Sequence, residues 1–95
     1  VKMKYLKTLE VLENHGWNKG AFKAPDGSHC LVGALCEAGE NYPGAEDLRL
    51  LGIIARVTKR KIGQVSRVHF NDRPSTTFDD IWALLAEAAM LEDSK

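Results

Sequence analysis

The chain has 95 residues, 44% of them hydrophobic and 27% charged, and its 13 basic and 13 acidic side chains balance to a formal net charge of zero. That length holds one modest core and so one domain. A neutral chain has no long-range field to gather nucleic acid or an acidic membrane, and no apolar run approaches the roughly 20 residues a membrane span needs.

Val1 to Glu10 is charged and periodic, unlike a secretory leader, which points to the cytoplasm. Lys2 to His15 reads as a helix with Tyr5, Leu6, Leu9 and Leu12 on one face and Lys4, Lys7, Glu10 and Glu13 mostly elsewhere. Gly16 stops it, and His15 reads as a solvated helix end, where a cation suits the dipole. Trp17 to Pro25 is a loop. Its two aromatics, Trp17 and Phe22, either fold back over the core or wall a ligand site.

The stretch from Gly27 to Leu35 organises the rest. After the turn at Pro25-Asp26-Gly27, Ser28 is a natural N-cap. Cys30, Leu31, Val32, Ala34, Leu35, Cys36 and Ala38 then cover roughly two thirds of a helix circumference, leaving His29, Gly33 and Glu37 on the remaining strip. A helix so widely apolar is surrounded by others, and Gly39 ends it. Gly33 costs about 1 kcal/mol relative to Ala inside a helix, which predicts close approach of another segment. Cys30 and Cys36 point about 120° apart on such a helix, so they read as reduced core thiols and not as a disulfide.

Glu40 to Gly44 is a turn cluster with Pro43 ahead of a helix from about Ala45 to Thr58. Glu46 and Asp47 suit its first turn. Leu48, Leu50, Leu51, Ile53, Ile54, Ala55 and Val57 cover a wide arc opposite Arg49, Gly52 and Arg56, which predicts an enclosed helix. Lys59-Arg60-Lys61 reads as a solvated helix end. Ile62 to Phe70 fits both a short helix and an extended segment; a short helix running into a loop is favoured. Asn71-Asp72-Arg73-Pro74 is a turn by composition, with its Asx side chains bonding their own turn and Arg73 near Asp79 or Asp80. Ser75, Thr76 or Thr77 can cap the last helix, and Thr76…Asp79 and Thr77…Asp80 both have capping-box spacing. That helix runs to about Glu92. Phe78, Ile81, Trp82, Leu85, Ala88 and Ala89 form its buried face; Asp79, Asp80, Ala83, Glu87 and Met90 face out. Asp93-Ser94-Lys95 reads as frayed. The expectation is an all-α single small domain of four to five short helices around a buried central helix, Ser28–Ala38.

Gly16-Trp17, Gly20-Ala21, the run Asp26-Gly27-Ser28-His29-Cys30-Leu31-Val32-Gly33-Ala34-Leu35 and, later, Asn71-Asp72 before a Thr-rich cap resemble a family of small domains from actinobacteria and their phages, domain of unknown function 6197. The match covers most of the chain from Gly16 onward. Family members carry Trp before the Asn-Asp pair, where this chain has Phe70. The resemblance implies an actinobacterial or phage origin and brings no activity or catalytic residues.

A cysteine at a helix N-terminus is the setting for a lowered thiol pKa, and His29, His69 and Asn71 could supply a base and an orienting group. Against this, His29 points about 100° away from Cys30 on a helix, and Cys30 falls within the apolar arc. His29, Cys30, Cys36 and His69 lack the spacing of a zinc site, and no phosphate-binding Gly loop is present. No metal or cofactor is expected. The resulting expectation is a small non-enzymatic cytoplasmic binding protein, a phage-encoded or accessory modulator acting on a host protein through Trp17, Phe22, His69, Asn71, Asp72 and Arg73. One alternative is a small-ligand binder or cysteine-dependent enzyme using Cys30. Another is a weak nucleic-acid binder through Arg56, Lys59, Arg60, Lys61 and Arg67.

Overall fold

The computed structural model describes residues 4–42 and 44–93, and the side chains of all of these except 45, 46 and 91–93. The expected helix start at Lys2, the placing of Pro43, the first-turn charge of Glu46 and the chain end at Ser94-Lys95 lie outside them.

Helix α1 spans Leu6–His15. Its buried stripe is Tyr5, Thr8, Leu9 and Leu12, a clean i, i+3, i+4, i+7 pattern. Leu6, expected on that face, is half-exposed instead, because Thr8 takes the inner position. Tyr5 precedes the helix in the left-handed region and gives it no side-chain cap. The cap comes from far along the chain. Glu40 Oε2 accepts from Tyr5 N at 2.8 Å, and Oε1 accepts from Thr8 N at 2.8 Å and Thr8 Oγ1 at 2.9 Å. A carboxylate there meets both the orphan N–H groups and the positive end of the dipole. Gly16 ends α1 with φ +92°, a conformation that suits glycine.

Helix α2 is Leu31–Glu37, three residues shorter at its start than expected, and Ser28 is not its cap. The backbone from Ser28 to Cys30 is extended because His29 pairs with the Trp17 loop in an isolated parallel bridge. His29 N donates to Gly16 O and Asn18 N to His29 O, both at 3.0 Å. Ser28 is held by Asp26, through N at 2.9 Å and Oγ at 2.7 Å. Cys30 is the N-cap, its Sγ accepting from Gly33 N at 3.4 Å. Leu31 to Leu35 are all buried, as a central helix requires. At the far end Gly39 N bonds Cys36 O and Glu40 N bonds Leu35 O. This is a Schellman turn around Gly39 at φ +70°. It delivers Glu40 to α1.

Helix α3, Ala45–Thr58, matches its expected range. Leu50, Ile53, Ile54 and Ala55 are buried, but Leu48 and Val57 are exposed, so it is enclosed on one side only. After a single 3-10 turn at Ile62–Gln64, helix α4 runs Arg67–Asp72, with Ser66 Oγ accepting from His69 N at 3.0 Å. Asn71 and Asp72 are therefore the last turn of a helix and not a free turn. Pro74 ends α4 by forcing Arg73 to ψ 139°. Ile62 and Val68 are exposed. Helix α5 is Phe78–Asp93. Thr77 and Asp80 form its capping box: Thr77 N donates to Asp80 Oδ2 at 2.9 Å and Asp80 N to Thr77 Oγ1 at 3.3 Å. Leu84 is buried and Trp82 is exposed, the reverse of the expected assignment for Trp82; its Nε1 donates to Glu13 at 3.0 Å.

Helix α1 packs against α2 and α5, α3 against α4 and α5, and α2 against α4. One continuous core results, with Leu31, Ala34 and Leu35 of α2 meeting Leu12, Ile54, Phe70, Ile81 and Leu85. No strand forms among the described residues, and none of their helices is long and apolar enough to cross a membrane.

Candidate functional site

Trp17, Asn71 and Asp72 do come together, as a closed polar knot. Asn71 is 0% exposed. Its Oδ1 accepts from Trp17 Nε1 at 2.6 Å and from Leu31 N at 3.0 Å; its Nδ2 donates to Asn18 O at 3.1 Å and Asp72 Oδ1 at 2.9 Å. Every donor and acceptor of the amide is engaged. Asp72 Oδ1 also accepts from Gly20 N at 2.9 Å, and Lys19 Nζ donates to Arg73 O at 2.5 Å. Trp17 stacks on Phe78 with centroids 6.2 Å apart. These bonds stitch the Trp17 loop to the end of α4, and Leu31 N is an orphan N–H of α2, so Asn71 caps that helix from outside. Asn71 was expected as an exposed contact residue. Its complete burial corrects that.

Gly33 has the reason anticipated for it. A Cβ there would run into the Phe22 carbonyl and lie 2.8 Å from the Phe22 Cα. The loop backbone crosses α2 at this point, which throws the Phe22 side chain outward, 64% exposed. The cleft beside it, about 240 Å³, includes His29, Cys36 and Glu37 but not Cys30. Cys30 is only 4% exposed, with its sulfur serving as a helix cap. His29, expected on the polar strip, is 3% exposed, and neither of its ring nitrogens has a partner among the described residues. His69 lines a different cleft with Arg60 and Ser66. The groups needed to activate Cys30 thus sit on separate surfaces. Both cysteines are free, but Cys36, expected in the core, is exposed, because only the first turns of α2 are enclosed; no group of three or more metal-ligating side chains gathers among the described residues.

Of the basic residues, Arg56 is ion-paired with Glu87, and Arg67 with Asp47 at 3.2 Å. Lys59, Arg60 and Lys61 are exposed.

An open groove of about 320 Å³ lies between α3, the end of α4 and the start of α5. Its floor is Ile53, Phe70 and Leu84, all buried core residues. It is also lined by Arg56, Glu87, Arg73, Asp80, Ser75 and Thr76. Phe70 and Arg73 divide it from the His69 cleft, of about 70 Å³, and line both. Two expected contact residues, His69 and Arg73, therefore border these adjoining hollows. Sequence reasoning missed Thr76, Ala83 and Glu87 as site residues. The available signal was a small residue, Ala83, on an outward face otherwise charged, which leaves room for an occupant.

No curated protein and no solved structure matches the chain. A family model described as a family of unknown function (DUF6197) matches residues 4–91, nearly the whole chain, and the protein belongs to that family.

Proposed function

We propose that this protein is a small binding protein that recognises a protein partner through the groove between α3, α4 and α5. The observation that supports this reading is the groove itself, an opening onto the apolar core rimmed by charges of both signs. Apolar hollows with a few convergent polar groups are the usual form of a recognition site, and mixed rim charges select a partner more than they strengthen its hold. Exposed Val57 at the edge adds apolar contact area. In this reading the partner is a host protein and the chain is a phage-encoded or accessory modulator, an origin that rests on the family resemblance. Two free thiols suit a reducing compartment such as the cytoplasm.

The test is affinity capture from host lysate with the wild-type chain and with Ala83→Trp, which fills the groove from the solvent side. A partner held by the wild type and lost with Ala83→Trp, but kept with Phe22→Ala on another surface, is the expected result. A partner retained equally by all three removes the groove from the account.

A further inference from the structure

We infer that the small cleft beside His69 takes a phosphate monoester, as carried by a phosphorylated side chain of a protein partner. This rests on the binding reading above and adds to it the chemistry of the partner.

The cleft, about 70 Å³, lies where the end of α3, the 3-10 turn at Ile62–Gln64 and the start of α4 meet. Its lining differs in sign from that of the groove next to it. The groove sets Arg56 and Arg73 against Asp80 and Glu87. The cleft is lined by Arg60, Arg73 and His69 and by no carboxylate. Arg60 and Arg73 form no ion pair among the described residues, whereas Arg56 and Arg67 are paired with Glu87 and Asp47. Arg73 lies over the Phe70 ring, 6.0 Å from its centroid, and Phe70 is part of the cleft wall. Arg60 is brought to the cleft by the turn that ends α3, in which Lys59 N bonds Arg56 O and Arg60 N bonds Ala55 O. Exposed Lys59 and Lys61 flank it. A hollow lined by one sign of charge gathers counter-ions, and two guanidiniums with no carboxylate between them repel each other until an anion separates them.

The neutral groups of the cleft are donors as well. Ser66 Oγ accepts from His69 N at 3.0 Å, and Gln64 Oε1 accepts from Lys61 N at 3.2 Å. The Ser66 hydroxyl and the Gln64 amide nitrogen are left to donate. Guanidiniums from two sides with further donors around so small a hollow suit a compact group with three acceptor oxygens and a double charge. Arginine clusters are an established way of reading phosphorylated side chains. A nucleic-acid backbone fits less well, because it needs a track of cations and the neighbouring Arg56 and Arg67 are already taken by carboxylates. Phe70 and Arg73 line both the cleft and the groove, so one partner segment reaches the two together.

The experiment is an NMR titration of the full chain at fixed salt, following backbone amides. The probes are N-acetyl-phosphoserine N-methylamide, the same blocked form of glutamate, inorganic phosphate and a single-stranded oligonucleotide. Blocked phosphoserine is expected to shift Arg60, Gln64, Ser66 and His69, and to bind about tenfold more tightly than blocked glutamate. Arg60→Gln and Arg73→Gln should each weaken it about tenfold at unchanged melting temperature, since neither side chain has an acidic partner to lose. Equal binding of blocked phosphoserine and blocked glutamate, shifts mapping elsewhere, or an Arg60→Gln chain that binds like wild type would overturn the inference. Inorganic phosphate binding more tightly than blocked phosphoserine would overturn it in favour of a free-phosphate site. An oligonucleotide binding more tightly would overturn it in favour of nucleic acid. If a partner lost with Ala83→Trp is still captured after phosphatase treatment of the lysate, the binding reading stands and this inference fails. If blocked phosphoserine binds the cleft but no groove-dependent partner is captured, the binding reading fails and the ligand chemistry stands.

Discussion

Asn71, in the last turn of α4, and Thr76, in the connection to α5, are both buried polar residues five positions apart, and they are used in opposite ways. Asn71 faces the Trp17 loop and has all its hydrogen-bonding capacity engaged at 2.6 to 3.1 Å. Thr76 faces the groove with its hydroxyl unengaged. A satisfied buried amide holds backbone segments in place, and removing it strands its partners. A hydroxyl without a protein partner at the wall of an open hollow meets solvent and contributes little to folding. The contrast separates a side chain that holds the fold together from one left open to the groove, only five residues apart.

The largest effect should come from Asn71→Ala. It leaves the Trp17 Nε1–H and the Leu31 N–H without acceptors in a dry site and should cost about 4 kcal/mol, read from urea unfolding. A loss below 1 kcal/mol would mean the knot is ornamental. Gly33→Ala should cost about 3 kcal/mol, since the new methyl overlaps backbone that cannot step aside, and should loosen the loop as seen by Trp17 fluorescence. An unchanged stability would place the Phe22 backbone elsewhere. Glu40→Gln, which keeps the shape of the α1 cap but removes its charge, should cost about 2 kcal/mol. Thr76→Val should lie within about 0.5 kcal/mol of wild type; a large loss would show that the hydroxyl is already engaged and collapse the distinction from Asn71.

The smallest effect belongs to Asp26, on the exposed turn. Hydrogen bonds from the Ser28 hydroxyl and then the Ser28 N–H hold its carboxyl below the ordinary 3.8. A carboxyl more acidic in the folded state stabilises above its unfolded pKa, and that contribution disappears as pH falls through the folded value. NMR titration of Asp26 should give a midpoint under 3.8, rising toward it in Ser28→Ala. A wild-type midpoint above that figure would contradict the turn geometry.

Much of this was readable in the chain. Apolar periodicity placed α3 and α5 almost to the residue, Gly39 marked the end of α2, and the cost of a mid-helix glycine foretold the close approach at Gly33. These are local quantities, decided by neighbours within a turn or two. The failures share one cause. Ser28 looked like a cap because nothing local shows that His29 is pulled into a bridge with Trp17. Leu6 and Trp82 looked buried because periodicity does not know that Thr8 and Leu84 sit under a neighbouring helix. Asn71-Asp72 looked like a turn because the bonds that make them the end of a helix and the cap of another run to residues 40 to 54 positions away.

By itself, then, the sequence determined that this is a small helical domain, where its helices lie, and that Leu31 to Leu35 stand at its centre, because burying apolar stripes leaves few other solutions. Only the tertiary structure decided which polar groups are engaged and which are left open. Hydrogen bonds between distant segments depend on positions in space, and no spacing along the chain encodes whether a hydroxyl such as that of Thr76 finds a partner.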